Sequence, residues 1–188
     1  MIIEQVTVPE GYGLKEYAGY AHLAPNVEAL TSAAAGLARP LSDRTVWMVS
    51  STRQGGGVAE GLPRVVSLLR QLGVRTEWLV IEGPDRRFFQ LTKRIHNRLH
   101  GFGEPGFGPD DHDLYRKVSA DFAAAMRSRI APEDLLVVHD PQPLAVGAIL
   151  KRELGLPAIW RCHIGLDRQT PATEDAWSFL RPFATVYD

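Results

Sequence analysis

An apolar run at residues 45–50 leads into a polar turn, three consecutive glycines and a helical pattern that begins at Val58. This order predicts a strand, a glycine loop and the start of a helix. The glycines at 55–57 let backbone N–H groups and the positive end of the helix dipole face a ligand without intervening side chains. The stretch predicts a binding loop for an anion or a sugar hydroxyl, although a tight turn without a ligand would use the same residues.

The chain has 188 residues, 45% of them apolar, which suffices for one domain with a full core. Its 21 basic and 22 acidic residues give a formal charge of -1, which argues against binding to nucleic acid or an anionic membrane. No apolar run approaches the roughly 20 residues of a membrane span, so we expect a cytoplasmic protein. A single cysteine, Cys162, excludes an internal disulfide.

Strands and helices alternate over most of the chain. Strands are predicted at 45–50, 74–81, 135–138 and 158–160, and helices at 58–72, 85–100, 110–130, 143–154 and 173–183. Residues 101–109 read as a connecting loop or lid, and residues 184–188 as a further strand. The alternation predicts an α/β fold, a doubly wound and mainly parallel Rossmann-like sheet with helices on both faces.

The first 40 residues stand apart from this alternation. An alternating run at 3–8 predicts a strand-like arm, followed by irregular structure up to residue 24. A helix is predicted from Pro25 to the Arg39-Pro40 break. We therefore expect residues 1–40 to pack as an arm and a helix on a main domain formed by residues 41–188.

Polar residues follow each predicted strand, at 50–57, at Glu82, at 139–140 and at 161–167. The carboxyl ends of parallel strands lie at one edge of a sheet, where ligands bind in such folds. We expect these residues to line that edge.

Asp140 stands at the mouth of a buried strand among stiffening prolines, where its carboxylate can accept hydrogen bonds from sugar hydroxyls. Capping the next helix is an equally good role for it. Arg161 and His163 offer a guanidinium and an imidazole to an oxygen-rich ligand. A purely structural role is the alternative for His163, and more so for His139.

Several chemistries are disfavoured. The glycine loop lacks the GxGxxG pattern of dinucleotide sites and the Lys-Ser/Thr of a P-loop, so no cofactor is expected. Cys162 should point away from the face shared by Arg161 and His163, which argues against a nucleophile. His96 and His100 have a zinc-like spacing without a third ligand, so no metal is expected. Lys93 and His96 face either the ligand edge or solvent.

Five segments together resemble one enzyme family: residues 49–60, 78–81, 92–101, 138–143 and 160–164. They are similar to the trehalose synthases that use a nucleotide sugar, which are retaining GT-B glycosyltransferases of family 4 close to the trehalose phosphorylases. The resemblance runs over about residues 45–188.

The resemblance implies roles for individual residues. Gly55, Gly56 and Gly57 would border the donor phosphate and sugar, Asp140 would orient the acceptor glucose, and His163 would lie beside the donor sugar at the reaction centre. Catalytic roles are thus expected for His163 and Asp140. Substrate contacts are expected at Gly55, Gly56, Gly57, Lys93, His96, His139, Gln142 and Arg161.

It further implies that the chain is the N-terminal, acceptor-side half of an enzyme whose C-terminal, donor-binding domain is absent, so that it is inactive alone. Its partners would be glucose or trehalose, a nucleotide diphosphate glucose and that missing domain. The final predicted strand suggests an uncovered edge, and we expect self-association, for which a homodimer is the simplest form. A trehalose phosphorylase half and a stand-alone sugar-binding module remain alternatives.

Overall fold

The computed structural model describes residues 2–9, 13–82 and 86–188. Its elements in chain order are β1 (Ile2–Gln5), α1 (Leu14–Ala18), α2 (Ala24–Leu37), β2 (Val46–Ser50), α3 (Gly57–Gln71), β3 (Thr76–Glu82), α4 (Arg86–Leu99), α5 (Pro109–Met126), β4 (Leu135–His139), α6 (Leu144–Leu154), β5 (Ala158–Arg161) and α7 (Pro171–Ala184). Short 3-10 turns follow α2 and α5 at Arg39–Leu41 and Arg127–Arg129.

The strands form one five-stranded sheet in the order β1-β3-β2-β4-β5. Strands β2 to β5 run parallel to one another, and β1 at the edge pairs with β3 in the antiparallel sense. The predicted α/β sheet is confirmed, and its parallel strands alternate with helices as the sequence pattern indicated. This order matters for function. The next strand along the chain after β2, which is β3, lies on one side of β2, and the following strand, β4, lies on its other side.

Two hydrophobic cores cover the two faces of the sheet. Because side chains alternate along a strand, Trp47 and Val49 of β2 enter one core while Val46 and Met48 enter the other. The first core also takes the apolar faces of α4, α5, α6 and α7, and the second takes α3. Helices therefore lie on both faces, as predicted.

Helix α6 approaches β4 unusually closely, and Gly147 makes this possible. A Cβ atom at Gly147 would lie 2.3 Å from Oη of Tyr187 and 2.5 Å from Cγ2 of Val138. Both neighbours are fixed, since Val138 is fully buried and the Tyr187 hydroxyl donates a hydrogen bond to the Leu144 carbonyl. The helix ends at Gly155, whose φ of 71° is the left-handed conformation of a helix C-terminus.

The N-terminal region contacts the sheet through β1 and through Val8, which is buried in the second core. Within α2, all of which the structure describes, no residue is buried. The predicted irregular structure before residue 24 was wrong at residues 14–18, which form the short helix α1. The boundary between an arm and a main domain at residue 40 stays a prediction.

Two further expectations need correction or fall outside the structure. Residues 184–188 do not form a strand: α7 continues to Ala184 and a turn follows. Asp188 alone bonds to β5 among these residues, since its N–H donates to the Ala158 carbonyl and its carboxylate accepts from the Ala158 N–H. The helix start predicted around Asp85 lies outside the described residues. No helix in the described part of the chain is long and apolar enough to cross a membrane.

Candidate functional site

A groove of about 530 Å³ opens at the carboxyl edge of the sheet, between the ends of β2 and β4. This is the point where the chain reverses its direction across the sheet, and open α/β sheets bind ligands in the crevice at such a point. Its walls are the segments that follow β2, β4 and β5, together with one side chain of α4. The lining residues are Ser50, Ser51, Thr52, Gly55, Gly56, Gly57, Val58, Ala59, His96, His139, Asp140, Gln142, His163 and Ile164.

The glycine loop forms the wall after β2. Gly55 and Gly56 have φ angles of 75° and 102°, which residues with a side chain rarely adopt. Gly57 has an ordinary φ, and a Cβ atom there would meet no atom within 4 Å, so its lack of a side chain leaves open space in the groove. Gly56 caps α3 without a side-chain hydrogen bond, which leaves the first N–H groups of the helix free to meet a ligand.

Hydroxyl side chains hold the turn before these glycines in place. The Ser50 hydroxyl accepts a hydrogen bond from Nε1 of the buried Trp78 at 2.8 Å and donates one to the Thr52 carbonyl at 3.0 Å. The Thr52 hydroxyl in turn donates to the Gln54 carbonyl at 2.7 Å. The loop is thus anchored to the sheet before it reaches the three glycines.

Asp140 links the ends of β4 and β5. Its Oδ1 accepts a hydrogen bond from the His163 backbone N–H at 2.8 Å, and its own N–H donates to the Arg161 carbonyl at 3.0 Å. Its carbonyl accepts a hydrogen bond from Nε1 of Trp160 at 2.9 Å. The alternative role, capping of α6, is wrong, because the N-cap is Pro143 and the carboxylate of Asp140 accepts its hydrogen bond from His163 instead of from an N–H group of that helix.

These contacts hold Asp140 in the left-handed conformation, with a φ of 66°. It is the one non-glycine residue with positive φ in the described ranges 2–9, 13–82 and 86–188. Such strain persists where surrounding structure enforces it, and it concentrates at functional sites. The second carboxylate oxygen, Oδ2, has no hydrogen-bond partner among the described residues and remains available in the groove.

His139 and His163 form a pair on one side of the groove. Nδ1 of His139 lies 2.9 Å from Nε2 of His163, and Nε2 of His139 lies 3.4 Å from Sδ of Met48. His139 is buried whereas His163 is exposed. Burial, together with the positive charges of His163 and Arg161, lowers the pKa of His139 to about 4, so His139 is neutral at pH 7.

Gln142 and His96 complete the groove. Oε1 of Gln142 is buried and has no hydrogen-bond partner in the described part of the chain. An unsatisfied buried acceptor is costly, and a ligand hydroxyl would relieve it. The His96 ring packs 4.6 Å from that of His100, whose Nδ1 is bonded to the His96 carbonyl at the end of α4.

Two residues expected at the site lie elsewhere. Lys93 is exposed and borders a separate cavity between α4 and α5, with Arg94 and Asp111. His96, three positions later on α4, lines the groove, whereas Lys93 does not. Arg161 borders a smaller cavity of about 250 Å³ that shares His139 and His163 with the groove. The groove therefore unites His96, His139, Asp140, Gln142, His163 and the three glycines.

Cys162 lies beside the site with a half-buried thiol that donates a hydrogen bond to the Ile164 carbonyl. Burial raises the pKa of the Cys162 thiol, which disfavours the reactive thiolate. No three His, Cys, Asp or Glu side chains in residues 2–9, 13–82 and 86–188 come together as a candidate metal site. Sequence reasoning missed Met48, whose place on the same face of the sheet as His139 was readable from strand alternation.

The fold is shared with solved structures. The chain superimposes on the OtsA apo structure with a TM-score of 0.54 at 17% identity, covering 78% of this chain and 39% of that one. For an α,α-trehalose-phosphate synthase (UDP-forming) from Burkholderia vietnamiensis the TM-score is 0.50 at 20% identity, with 77% and 38% covered. The class defined by this fold is the Rossmann-like N-terminal half of a GT-B protein.

Sequence comparison identifies the family within this class of folds. Residues 48–188 match the family described as trehalose synthase, N-terminal domain, and the chain belongs to that family. It is 38% identical over 151 residues to a trehalose synthase of Pyrococcus horikoshii and 35% identical over 158 residues to one of Rubrobacter xylanophilus. These matches cover 80% and 81% of this chain but only 34% and 36% of the relatives, so the chain spans about a third of their length.

A more distant relative is a trehalose phosphorylase of Grifola frondosa, 29% identical over 144 residues, with 70% of this chain and 20% of the relative covered. The resemblance read from the five sequence segments is therefore confirmed.

Proposed function

We propose that this chain is the acceptor-side half of a retaining glucosyltransferase that forms trehalose from a nucleotide diphosphate glucose and glucose, and that it is inactive alone. The observation that carries the proposal is the groove at the reversal point of the sheet. It combines a glycine loop, a free carboxylate oxygen and an exposed imidazole in a chain of the trehalose synthase family.

The acceptor glucose would bind against the end of β4. A sugar presents many hydroxyl donors, and this part of the groove offers acceptors: Oδ2 of Asp140 and the unpartnered Oε1 of Gln142. Because Asp140 is held by its backbone and by one carboxylate oxygen, its other oxygen is fixed in direction before a ligand arrives. Pre-oriented groups of this kind convert binding into correct placement of the reacting hydroxyl.

The donor would lie across the glycine loop. The free N–H groups at the start of α3 and the dipole of that helix favour a phosphate there, and the glycines allow close approach. His163 would hydrogen-bond the donor sugar close to the charge that develops on it. The other contacts to the nucleotide would come from the part of the relatives' length that residues 1–188 do not match.

The reaction would proceed on one face of the donor sugar. The anomeric hydroxyl of the acceptor forms the new bond to the donor's anomeric carbon, the bond from that carbon to the phosphate oxygen breaks, and the leaving phosphate takes the acceptor proton. The anomeric configuration is thereby retained through an oxocarbenium-like transition state. Among the described residues that line the groove, Asp140 supplies the one carboxylate, and its free oxygen is assigned to the acceptor hydroxyl rather than to attack on the donor.

A trehalose phosphorylase half is the second candidate, favoured by the 29% identity to the Grifola frondosa protein. The two reactions share an acceptor site and differ in the donor, which is a nucleotide sugar in one and glucose 1-phosphate in the other. Release of glucose 1-phosphate from trehalose and inorganic phosphate identifies the phosphorylase.

Binding by the chain itself is the first test. We expect glucose, added to the ¹⁵N-labelled chain, to shift the amide signals of Asp140, Gln142 and His163 in a saturable way, while an equal concentration of sorbitol leaves them in place. A lack of saturable shifts at these residues would overturn the acceptor assignment. Trehalose formed from UDP-glucose and glucose by the chain alone would overturn the expected inactivity.

Transfer is tested by joining residues 1–188 to the C-terminal remainder of the Pyrococcus horikoshii trehalose synthase. We expect the chimera to make trehalose from a nucleotide diphosphate glucose and glucose, and His163→Ala to abolish most of that activity. A chimera that folds and binds the donor but makes no trehalose, while the chain still binds glucose, favours a stand-alone sugar-binding module.

A further inference from the structure

The atoms around His139 decide which of its two ring nitrogens carries the proton. The ring is 4% exposed, and each of its two nitrogens meets one polar atom. Nδ1 lies 2.9 Å from Nε2 of His163, and Nε2 lies 3.4 Å from the thioether sulfur of Met48. A neutral imidazole carries one proton, so these two contacts decide where that proton resides.

The sulfur of a methionine accepts hydrogen bonds weakly and cannot donate one. The nitrogen that faces it is therefore satisfied only as an N–H group, which places the proton of His139 on Nε2. Nδ1 of His139 is then a lone pair, and it accepts a hydrogen bond from Nε2–H of His163. The reverse arrangement would set a buried lone pair of His139 against the lone pairs of Met48.

We propose that His139 is a positioning residue: Met48 fixes its tautomer, and His139 in turn holds the Nε2–H of His163, so that His163 meets a ligand with Nδ1. The expected role of His139 as a direct substrate contact is replaced by this one. The inference rests on the proposed function only for the nature of the ligand, because the order of the hydrogen bonds is a property of the chain itself.

The arrangement suits a group beside developing charge. Neutral His163 offers Nδ1 as an acceptor, and protonated His163 offers Nδ1–H as a donor, yet its Nε2–H stays bonded to His139 in both states. The low pKa of His139 agrees with this role, since a protonated His139 would have no lone pair for His163. The backbone of His163 is fixed separately by Asp140, so the ring and the main chain are each held by one bond.

The tautomers are measured directly by long-range ¹H–¹⁵N correlation spectra of the 188-residue chain at pH 7.5. We expect His139 as a single species protonated at Nε2, and His163 protonated at Nε2 in its neutral form. Protonation of His139 at Nδ1 would overturn the inference. This result does not depend on sugar binding, so the pair can show the expected tautomers even where glucose fails to bind and the proposed function falls.

Met48→Leu removes the sulfur at nearly constant volume, and Met126→Leu, in the opposite core, is the matched control. We expect His139 to become a mixture of tautomers in Met48→Leu and to remain a single species in Met126→Leu. A single Nε2-protonated species in both variants would show that Met48 does not fix the tautomer of His139.

Two substitutions of His139 test the link to the ligand. Asn at 139 retains an oxygen acceptor near the position of Nδ1, whereas Phe retains the ring shape without an acceptor. We expect the affinity of the chimera for UDP-glucose to fall roughly three- to tenfold in His139→Phe, with loss of the single His163 tautomer, and to fall less in His139→Asn. Equal affinity and an unchanged His163 spectrum in a folded His139→Phe chain would overturn the positioning role.

Discussion

The carboxylate of Asp140 accepts a hydrogen bond from the backbone N–H of His163 at 2.8 Å, so the two residues expected to act on the substrate are bonded to each other. A single side chain therefore supports the local structure and presents its second oxygen to the groove. Substitutions at this position change both properties unless the replacement keeps the shape.

Asp140→Ala should lower the free energy of unfolding by about 2–4 kcal/mol, because it removes a charge-assisted hydrogen bond and leaves an ordinary residue at a φ of 66°. Asp140→Asn keeps an acceptor and tolerates this φ, so we expect a loss within about 1 kcal/mol. Urea unfolding curves of the two variants provide the measurement.

Glucose titrations of the same two chains separate binding from stability. Asp140→Asn should bind glucose more weakly despite its near-native stability, because an NH₂ group replaces the free oxygen. Native glucose affinity in Asp140→Asn would show that Asp140 has only a structural role.

The buried His139 makes stability depend on pH. Its pKa is about 4 in the folded chain and about 6.5 when unfolded, so the unfolded state binds more protons between these values. This contribution to stability is therefore fully present well above pH 6.5, falls as the pH is lowered toward 4, and amounts to about 3 kcal/mol in total.

Denaturant unfolding at a series of pH values between 7.5 and 4 tests the effect, with His139→Asn as the reference. The carboxylates with lowered pKa, Asp111 and Asp188, titrate below this window and contribute equally to both proteins. The difference between the two curves should shrink as the pH falls. Parallel curves would contradict the neutral, buried state of His139.

The glycines of the binding loop should respond differently to alanine. Gly56→Ala places a side chain at a φ of 102° and should lower stability by about 1–2 kcal/mol. Gly57→Ala introduces no strain and no clash, so its thermal unfolding should stay native or improve, while its methyl group enters the groove and weakens ligand binding. Unimpaired glucose and donor binding in Gly57→Ala would argue that the loop is only a turn.

Gly147 and Gly61 form a second matched pair, both within helices. Gly147→Ala should lower the free energy of unfolding by about 1–3 kcal/mol, because the new methyl group overlaps Tyr187 and Val138. In Gly61→Ala the methyl group meets nothing within 4 Å, and helix propensity predicts a gain of up to about 1 kcal/mol. Chemical unfolding of both variants measures these changes. An unchanged free energy of unfolding in Gly147→Ala would mean that α6 can move away from β4.

Much of the fold and the location of the groove follow from the sequence. The run at 135–138 had to be a buried parallel strand, and polar residues after parallel strands must gather at one edge, which brought Gly57, Asp140 and His163 together. The bonds within the site did not follow, because they depend on the φ of Asp140 and on the register that sets His139 beside Met48. Neither has a local sequence signal.

The errors have similar causes. Lys93 was expected together with His96 either at the ligand edge or in solvent, but the position of α4 is set by the packing of Leu91 and Ile95 in the core, and Lys93 is exposed. The strand expected at 184–188 reflects the β propensity of Val186 and Tyr187, whose side chains instead pack against the core from a turn. Residues 14–18 are too few to show a helical period.

The groove draws its walls from distant parts of the chain, as Met48 and His139, in contact beside it, are 91 residues apart. No short segment can form the groove by itself, so an unfolded or partly folded chain has no binding site for the ligand. Ligand binding is then coupled to completion of the whole sheet, and saturating glucose should raise the melting temperature by mass action. A shift in the melting temperature would thus report occupancy of the groove without any label or donor substrate.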